Sequence, residues 1–364
     1  MTSANLSPRC PSTQPSATAT ELPRISLVVP VRNEATHIQR TLQQLTAQDY
    51  DPQRFEILVV DGQSTDGTPE LVAAFAQQRG NVRLLANPQR WSSAARNIGV
   101  RQARGELVAI VDGHCEIDGD QYLHNLAAAF AHSGADCVGR PQPLDVSQAS
   151  PLQRAIAAAR SSPLGHHPAS FIYCSYEGPV PAHSVAVAYR RAVFETVGLF
   201  DESFDACEDV EFNHRVDRAG LRCYFTPRVA VRYCPRESLG GLFRQLVRYG
   251  RGRVRLLRKH PDTLSLGTLV PLLFVVGLIA GLPLSVALPW FRMAYLAGLS
   301  LYAAVVVLGS LSIELSPGNR ALLPRLPLVF ATIHFSSGLG MLWELCGWHR
   351  RRPQTEKIHV DYSC

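Results

Sequence analysis

A carboxylate and an imidazole stand two residues apart in Asp112-Gly113-His114, directly after the apolar run 107–111. Both side chains can turn toward one divalent metal ion, and such an ion can neutralise the negative charge of a diphosphate. For an isolated Asp-Gly pair, a simple turn is the more common explanation. A metal site is therefore predicted here only if other acidic residues of the chain meet at the same place.

Further polar residues follow other apolar runs of the sequence. Asn33 and Glu34 come directly after the run 25–31, and the acidic segment 61–66 follows the run 55–60. In a parallel sheet, ligands bind beyond the carboxyl ends of the strands, where the loops lie. These residues are therefore expected to share one site with the Asp-Gly-His group, whereas structural acids would be scattered over solvated helix faces.

The spacing of apolar residues predicts the elements that must position these groups. Strands are predicted at residues 25–31, 55–60, 82–85, 107–111, 137–139 and 185–189, and helices at 34–48, 68–79, 92–104, 121–131, 190–197 and 208–219. A strand–helix alternation at this rhythm implies a mostly parallel, Rossmann-like α/β sheet with right-handed crossovers. Several prolines between residues 140 and 183 predict an irregular segment there.

Three long apolar segments occupy the C-terminal part of the chain, at residues 264–288, 293–313 and 326–342. Each is long enough, or nearly so, to cross a hydrocarbon core of about 30 Å. Helices buried in a large soluble core are the alternative, but the region carries very few charged residues. Three crossings from a cytosolic start would place the basic residues 350–352 outside, against the positive-inside tendency, so two or four crossings stay open.

Much of the positive charge is concentrated just before the first apolar segment. Arginine or lysine stands at positions 236, 244, 248, 251, 253, 255, 258 and 259 of a chain whose net charge is +6. Such a cluster is attracted to anionic membrane lipids and can lie at the interface as an amphipathic helix. Binding of nucleic acid is the alternative, but no groove-reading motif accompanies the charges, so no nucleic-acid partner is predicted.

The first 23 residues are rich in Pro, Ser, Thr and Ala and contain no apolar segment of signal-peptide length. We therefore predict a disordered lead-in and a cytosolic catalytic part. The nine cysteines are scattered without a CxxC pair, which indicates neither a disulfide framework nor a zinc site. The predicted organisation is a lead-in at 1–23, a catalytic domain at 24–235, a basic interfacial segment at 236–262, apolar spans at 263–348 and a basic tail at 349–364.

From about residue 25 to 249, the chain resembles the family 2 glycosyltransferases, which are inverting enzymes with the GT-A fold. Several motifs carry the resemblance in the family's order. Residues 30–34 (Pro-Val-Arg-Asn-Glu) resemble the opening PxxNE loop, residues 61–68 (Asp-Gly-Gln-Ser-Thr-Asp-Gly-Thr) resemble the DGxSxDGT signature, and residues 95–99 (Ala-Arg-Asn-Ile-Gly) stand in the right place between them and the metal motif. The third position of the DxD-like metal motif is a histidine, His114. In this feature the chain resembles the bacterial succinoglycan-type exopolysaccharide glucosyltransferases.

The resemblance implies a donor site for a nucleotide-sugar. Its predicted residues are Pro30, Val31, Asn33, Glu34, Asp61, Gly62, Ser64, Asp66, Arg96, Asn97, Asp112 and Gly113. Among them, residues 30–34 and Asp61 would line the uridine pocket, with the Asp61 carboxylate accepting a hydrogen bond from the base. Asp112 and His114 would hold a divalent metal, manganese or magnesium, although hard cations prefer oxygen to an imidazole nitrogen.

Glu208 and Asp209 match the family's ED motif, in which the aspartate is the catalytic base. Acidic residues in the first turn of a helix are also stabilised by the helix dipole, so a purely structural explanation stays open. Gln245, Arg248 and Tyr249 resemble the QxxRW motif of polymerising members and are assigned to the acceptor and the diphosphate. A tyrosine in place of the tryptophan keeps an aromatic face for sugar stacking but weakens the case for processivity.

The resemblance thus implies a membrane-bound inverting glycosyltransferase that moves a sugar, expected to be glucose, from a UDP-sugar to a lipid-linked or polysaccharide acceptor. It would act as a multi-pass protein of the inner (cell) membrane with a cytoplasmic catalytic domain, in exopolysaccharide or cell-envelope glycan synthesis, beside membrane lipids and other polysaccharide-synthesis components. Two alternatives stay open. A metal-dependent nucleotidyltransferase would be expected to carry a glycine-rich basic loop before Asn33, and a catalytically silent membrane scaffold would be expected to lose Asp112 or Asp209.

Overall fold

The computed structural model describes residues 22–166, 170–314 and 322–347. The predicted basic tail, and all but the last two residues of the predicted lead-in, lie outside these ranges. The strands are β1 (Ile25–Val31), β2 (Phe55–Asp61), β3 (Val82–Ala86), β4 (Leu107–Ile110), β5 (Cys115–Glu116), β6 (Cys137–Gly139), β7 (Gly178–Val180), β8 (Ala186–Arg190), β9 (Cys223–Phe225) and β10 (Arg232–Tyr233). The helices are α1 (Ile38–Thr46), α2 (Thr68–Gln78), α3 (Ser92–Gln102), α4 (Tyr122–Ser133), α5 (Pro151–Ser161), α6 (Arg191–Val197), α7 (Glu208–Arg218), α8 (Leu239–Lys259), α9 (Leu266–Ala287), α10 (Pro289–Glu314) and α11 (Leu326–Leu345).

The main sheet has the strand order β3-β2-β1-β4-β8-β6-β9-β7. Parallel pairing joins β1 to β2 and β4, β2 to β3, and β6 to β9, whereas β8 runs antiparallel to β4 and β6, and β7 runs antiparallel to β9. The predicted mostly parallel α/β sheet is thus confirmed, with an antiparallel strand inserted in its middle. A separate antiparallel ribbon of β5 and β10 brings Tyr233 opposite Cys115, next to the Asp-Gly-His group.

Helices cover both faces of the sheet, which explains why β1 and β2 are apolar along almost their whole length. Ile25 and Leu27 of β1 pack on one face with residues of α1 and α4, and Val28 packs on the other face with residues of α3. Gly99 of α3 lies so close to β1 that an added Cβ would stand 2.2 Å from Cγ1 of Val28. Because each fully buried Leu or Ile contributes about 1.5–3 kcal/mol, this two-sided core holds the strand ends in fixed positions.

The first helix begins four residues later than the sequence predicts, at Ile38 instead of residue 34. Asn33 adopts a left-handed backbone conformation with a φ of 57°. The backbone N–H of Ala35 donates to Oδ2 of Asp66 at 3.0 Å. Residues 35–37 form a turn that leads into α1, in which the carbonyl oxygen of Glu34 accepts from the N–H groups of His37 and Ile38 at 2.9 Å.

The segment 140–183, which the prolines predict to be irregular, contains α5 and β7. A capping box starts α5, in which the Ser150 hydroxyl accepts from the N–H of Gln153 and the Gln153 side chain accepts from the N–H of Ser150. Pro151 occupies the first turn, where its missing N–H removes no helix hydrogen bond. The prediction is wrong for α5 because this proline begins a helix and does not interrupt one.

The last three helices, α9, α10 and α11, are long and apolar enough to cross a membrane, and they coincide with the three predicted apolar segments. Helix α8 packs along α11. An added Cβ at Gly250 of α8 would stand 2.2 Å from the carbonyl oxygen of Ser337, so the two helix backbones are in contact. The number and orientation of membrane crossings stay predictions, as do the predicted domain boundaries.

Part of the basic face of α8 forms ion pairs with acidic residues of the protein. Arg251 and Arg255 lie 3.2 and 2.9 Å from the carboxylate of Glu344, which is buried on α11. Arg255 also pairs with Asp205 at 2.6 Å. The basic segment therefore fastens the catalytic domain to the last apolar helix, whatever further contact it makes with lipid.

Candidate active site

One cavity of about 970 Å³ lies beyond the carboxyl ends of β1 and β4. The predicted site residues that line it are Pro30, Val31, Glu34, Arg96, Asp112, His114, Glu208, Asp209, Gln245, Arg248 and Tyr249. Its walls come from the loops after β1 and β4, the start of α7 and the cavity side of α8. A cavity of this size can accept a ligand as large as a nucleotide-sugar.

The carboxylate of Asp112 accepts a hydrogen bond from the hydroxyl of Tyr233 to Oδ2 at 2.7 Å. Burial raises the pKa of Asp112, but the charges of His114 and Arg96 and the hydrogen bond from Tyr233 outweigh burial, so the pKa lies below its ordinary value. Asp112 is therefore ionised at neutral pH. It can act as an anionic metal ligand.

The imidazole of His114 is held from two sides. Its Nδ1 lies 3.0 Å from Oε1 of Glu34, and its ring packs edge-on against Tyr233 with 5.6 Å between ring centroids. Burial lowers the pKa of His114, but the hydrogen bond to Glu34 and the charge of Asp112 outweigh burial and raise the pKa above its ordinary value. The contact with Glu34 joins the loop after β1 to the metal motif.

The donor groups at this end of the cavity fit a divalent cation. Within the described ranges, hydrogen bonds engage Oδ2 of Asp112 and Nδ1 of His114, whereas Oδ1 and Nε2 of the same side chains make none. One carboxylate oxygen and one imidazole nitrogen are therefore available as ligands. Few protein ligands leave coordination positions for phosphate oxygens and water, as is usual for magnesium.

Arg96 of α3 connects the two ends of the cavity. Its Nη2 lies 3.4 Å from Oε1 of Glu208, and the two side chains are only 12% and 8% exposed. Burial lowers the pKa of Arg96, but the charges of Glu208, Asp209 and Asp112 outweigh burial and raise it. The guanidinium of Arg96 therefore interacts electrostatically with both the predicted metal ligand, Asp112, and the predicted base, Asp209.

The two acids of the ED motif have different surroundings. Glu208 is buried, and burial together with the charge of Asp209 raises its pKa against the opposing effect of Arg96. Asp209 is exposed, and its Oδ1 accepts a hydrogen bond from the N–H of Val210 at 2.8 Å. Of the two carboxylates, Asp209 is therefore the one that a substrate hydroxyl can reach.

Asn33, Asp61, Ser64 and Asp66, the other polar residues of the first two motifs, connect two loops, and their assignment to donor binding stays a prediction. The hydroxyl of Ser64 donates to Oδ1 of Asp61 at 2.5 Å and accepts from the N–H of Asn33 at 2.8 Å. The side chain of Asn33 accepts from the N–H of Thr65 at 2.9 Å, and Asp66 accepts the Ala35 hydrogen bond described above. These contacts hold the loop after β1 against the loop after β2, and so they position the cavity wall.

Asn97, Gly62 and Gly113 also lie behind the cavity wall. Asn97 is 2% exposed, and its amide donates to the carbonyl oxygen of Phe200 at 2.9 Å. The N–H of Gly62 donates to the carbonyl oxygen of Val31 at 2.8 Å, and an added Cβ at Gly113 would stand 2.6 Å from Cγ1 of Val31. The structure gives these three residues supporting contacts, and their assignment to donor binding stays a prediction.

Helix α8 supplies the predicted acceptor and diphosphate residues. The side-chain amide of Gln245 donates to the hydroxyl of Tyr249 at 3.1 Å and accepts from Nε of Arg236 at 3.3 Å. Arg248 and Arg253 line the cavity, and neither forms an ion pair with another described residue. Two positive charges are therefore available there to an anionic ligand.

Sequence reasoning missed several residues that line the same cavity. Tyr233 lies on a two-residue strand, which is too short for any periodicity to reveal. Arg140 directly follows β6, and its place at a strand end is the signal that could have indicated it. Arg140 is 1% exposed, and its Nε and Nη1 have no hydrogen-bond partner among the described residues.

Comparison with known proteins identifies the family. The model for glycosyl transferase family 2 matches residues 26–198, and the model for glycosyl transferase family group 2 matches residues 119–316. The chain is 33% identical over 248 residues to the succinoglycan biosynthesis protein ExoA of Rhizobium meliloti. These residues cover 68% of this chain and 74% of that protein. The chain belongs to glycosyl transferase family 2.

A second glycosyltransferase is similar to this chain over a comparable length. Glycosyltransferase AglE of Haloferax volcanii is 31% identical over 240 residues, which cover 65% of this chain and 74% of that protein. As a member of this family, the protein is a glycosyltransferase related to enzymes of exopolysaccharide and glycan biosynthesis. This assignment replaces the nucleotidyltransferase and scaffold alternatives.

Solved structures confirm the GT-A fold. Mannosyltransferase PcManGT from Pyrobaculum calidifontis, in complex with GDP-Man and Mn²⁺, has a TM-score of 0.58 at 22% identity and covers 89% of this chain and 88% of that chain. S. aureus TarS in complex with UDP-GlcNAc has a TM-score of 0.50 at 17% identity, over 90% of this chain and 93% of that chain. These similarities extend over most of the family 2 chain and concern its fold.

Proposed function

We propose that this glycosyltransferase moves a sugar, with inversion, from a UDP-sugar to a hydroxyl of a lipid-linked or polysaccharide acceptor at the membrane. The observation that carries the proposal is that the carboxylates of Asp112 and Asp209 line one cavity, with Arg96 close enough to be affected by both charges. A single displacement needs an anchor for the leaving diphosphate and a base for the acceptor, and these residues supply one of each.

The diphosphate of the donor would lie beside Asp112 and His114. These two residues would hold a divalent metal, Mn²⁺ or Mg²⁺, whose charge stabilises the leaving group. Tyr233 and Glu34 orient the two ligands through the hydrogen bonds described above. PcManGT, a structure of the same fold, binds GDP-Man together with Mn²⁺. This supports a nucleotide-sugar and a divalent metal as the bound molecules of the present site.

In the transfer, the acceptor hydroxyl attacks the anomeric carbon from the face opposite the diphosphate. The bond from that carbon to the diphosphate oxygen breaks, and its electron pair leaves with UDP. Asp209 takes the hydroxyl proton, a role that typically accelerates a reaction by about 10²- to 10⁴-fold. Arg96, Arg248 and Arg253 face the negative charge that develops on the leaving group.

The cavity extends to the start of the first apolar helix. Leu264, Ser265 and Thr268, at the start of the first apolar helix, line it together with Asp209. An acceptor anchored in the bilayer could therefore present its hydroxyl to the base, and membrane attachment would raise its effective concentration. The basic residues before α9 favour a multi-pass protein of the inner (cell) membrane whose catalytic domain is cytoplasmic.

A panel of donors tests the proposal. Membranes that contain the full-length protein are incubated with radiolabelled UDP-glucose, UDP-GlcNAc or GDP-mannose, with Mn²⁺ or with EDTA. We expect metal-dependent transfer of label from a UDP-sugar, with UDP-glucose tested first because ExoA is a succinoglycan biosynthesis protein. Transfer from GDP-mannose alone, or a product that retains the donor's anomeric configuration by NMR, would contradict the proposal.

A further inference from the structure

A second group of metal-type ligands includes neither Asp112 nor His114. One ligand atom from each of His214, His260 and Asp262 lies within 4.8 Å of the other two. No other group of three His, Cys, Asp or Glu residues within the described ranges meets this distance. His214 is on α7, whereas His260 and Asp262 belong to the short connection between α8 and α9. We propose that this triad binds a divalent cation of the zinc class, separate from the metal of the donor site.

The donor set selects the class of metal. Two imidazoles and one carboxylate suit zinc and its transition-metal neighbours, whereas magnesium and calcium prefer oxygen ligands. The side-chain exposure of His214 and Asp262, 13% and 53%, gives a cation a route to the site. Three protein ligands would leave one tetrahedral position for water.

The contact between His214 and Asp262 has the spacing of two ligands of one metal. Nε2 of His214 lies 3.1 Å from Oδ2 of Asp262, but this nitrogen is buried and makes no hydrogen bond with any described residue. Two ligand atoms of a tetrahedral zinc, with bonds of about 2.0–2.1 Å, are about 3.3 Å apart. A cation between the two atoms would satisfy both of them without a large movement.

The surroundings of His260 resemble the outer shell of a metal site. Nε2 of His260 lies 3.0 Å from Oε1 of Glu211, a fully buried carboxylate. Arg215 and Lys259 hold Glu211 at 3.0 and 2.8 Å. A carboxylate on one nitrogen of a histidine fixes the ring and leaves the other nitrogen for a metal.

The position of the triad indicates what the cation would do. His214 lies five residues after Asp209 on the same helix, and Asp262 lies four residues before Leu266, the first residue of α9. His214 and Asp262 also line the cavity that contains Asp209. A bound cation would therefore fasten the helix that begins with Asp209 to the entrance of the first apolar helix, which makes its ligands positioning residues.

Zinc binding to the metal-stripped, full-length protein tests the proposal, measured by competition with a chromophoric zinc chelator. The Asp112→Ala protein is the background, because it lacks the carboxylate ligand of the proposed donor-site metal. We expect this protein to bind one Zn²⁺, and the further changes His214→Gln and Asp262→Asn each to weaken binding by about tenfold or more. His124→Gln, a change at a histidine that packs on Tyr50 of the distant α1–β2 connection, should leave zinc affinity unchanged.

Two results would overturn the proposal. One is the absence of zinc binding in the Asp112→Ala protein, which would leave a plain His214–Asp262 ion pair. The other is unchanged affinity in the His214→Gln and Asp262→Asn proteins. Displacement of zinc by excess Mg²⁺ would reject the zinc class, and because the readout is metal binding, none of these results bears on sugar transfer.

Discussion

Arg96 and Glu208 form an almost buried ion pair, with 3.4 Å between Nη2 and Oε1. The pair joins α3 to the first turn of α7, and so it sets the place of Asp209 relative to the rest of the cavity. Because both charges are removed from water, loss of one partner leaves the other without compensation.

Arg96→Gln is therefore expected to destabilise the catalytic domain by about 3–5 kcal/mol, the usual effect of breaking a buried pair. The measurement is the thermal unfolding midpoint of the detergent-solubilised protein. Arg40→Gln is the matched control, because Arg40 pairs with Glu116 at 3.0 Å but is 69% exposed. Its effect should stay below about 1 kcal/mol, and equal shifts in the two variants would contradict the prediction.

Asp209→Asn should lower turnover by about 10²- to 10⁴-fold, since the amide cannot accept the acceptor proton. UDP affinity, measured by calorimetry, should be unchanged, because in the proposed mechanism Asp209 contacts the acceptor and not UDP. Asp118→Asn, a change at an acid that is 68% exposed and pairs with Arg232, is the control and should keep full activity. An active Asp209→Asn enzyme would remove this residue from the mechanism.

Asp112→Ala should abolish the part of UDP binding that depends on Mn²⁺. Tyr233→Phe removes only the hydrogen bond to Oδ2 of Asp112, so Mn²⁺ affinity should fall by about 10- to 100-fold without being lost. Calorimetric titration of UDP, with EDTA and over a series of Mn²⁺ concentrations, measures both effects. Unchanged binding in the Asp112→Ala protein would reject the metal role of this carboxylate.

Asp217 should make stability depend on pH. Burial raises the pKa of Asp217, but hydrogen bonds from His183 and from the N–H of Ala182 outweigh burial, so the pKa is lowered. A carboxyl with a lowered folded pKa stabilises the fold above its unfolded pKa of about 3.9, and this contribution is lost as pH falls through the folded pKa. Asp217→Asn should therefore lower the unfolding midpoint at neutral pH, with a difference from wild type that shrinks below about pH 4. A difference that stays constant across this range would contradict the assignment.

Two glycines in long helices should respond in opposite ways to alanine. An added Cβ at Gly250 would meet the backbone of Ser337 at 2.2 Å, so Gly250→Ala must push α8 and α11 apart and lower both the unfolding midpoint and activity. An added Cβ at Gly277 meets no described atom within 4 Å, and Gly277→Ala gains about 1 kcal/mol of helix propensity. If Gly250→Ala were as stable as Gly277→Ala, close contact of the two helices would be disproved.

Much of the fold could be predicted because its signals are local. Apolar periodicity located most strands of the main sheet and placed most helix ends to within a few residues. The prediction failed at α5, where Pro151 begins a helix, and at residues 34–37, which form a turn bonded to a distant loop. Both failures concern segments whose local preference allows two conformations.

The predicted site separates into two groups in the structure. Asp112, His114, Arg96 and Asp209 share the cavity, as their places at strand and helix ends predict. Asn33, Asp61, Ser64 and Asp66 of the first two motifs instead form hydrogen bonds between two loops. Motif spacing cannot distinguish a residue that contacts a ligand from one that supports the loop, because both need the same side chains at the same positions.

The sequence by itself determined the alternating α/β sheet, the three apolar helices and the family, since periodicity and motif spacing are properties of short segments. Only the tertiary structure decided that Asp209 is exposed while Glu208 is buried, and that Tyr233 bonds to Asp112 from 121 residues away. The physical reason is that burial and hydrogen bonding depend on which distant segments pack together, and packing is set by the whole core.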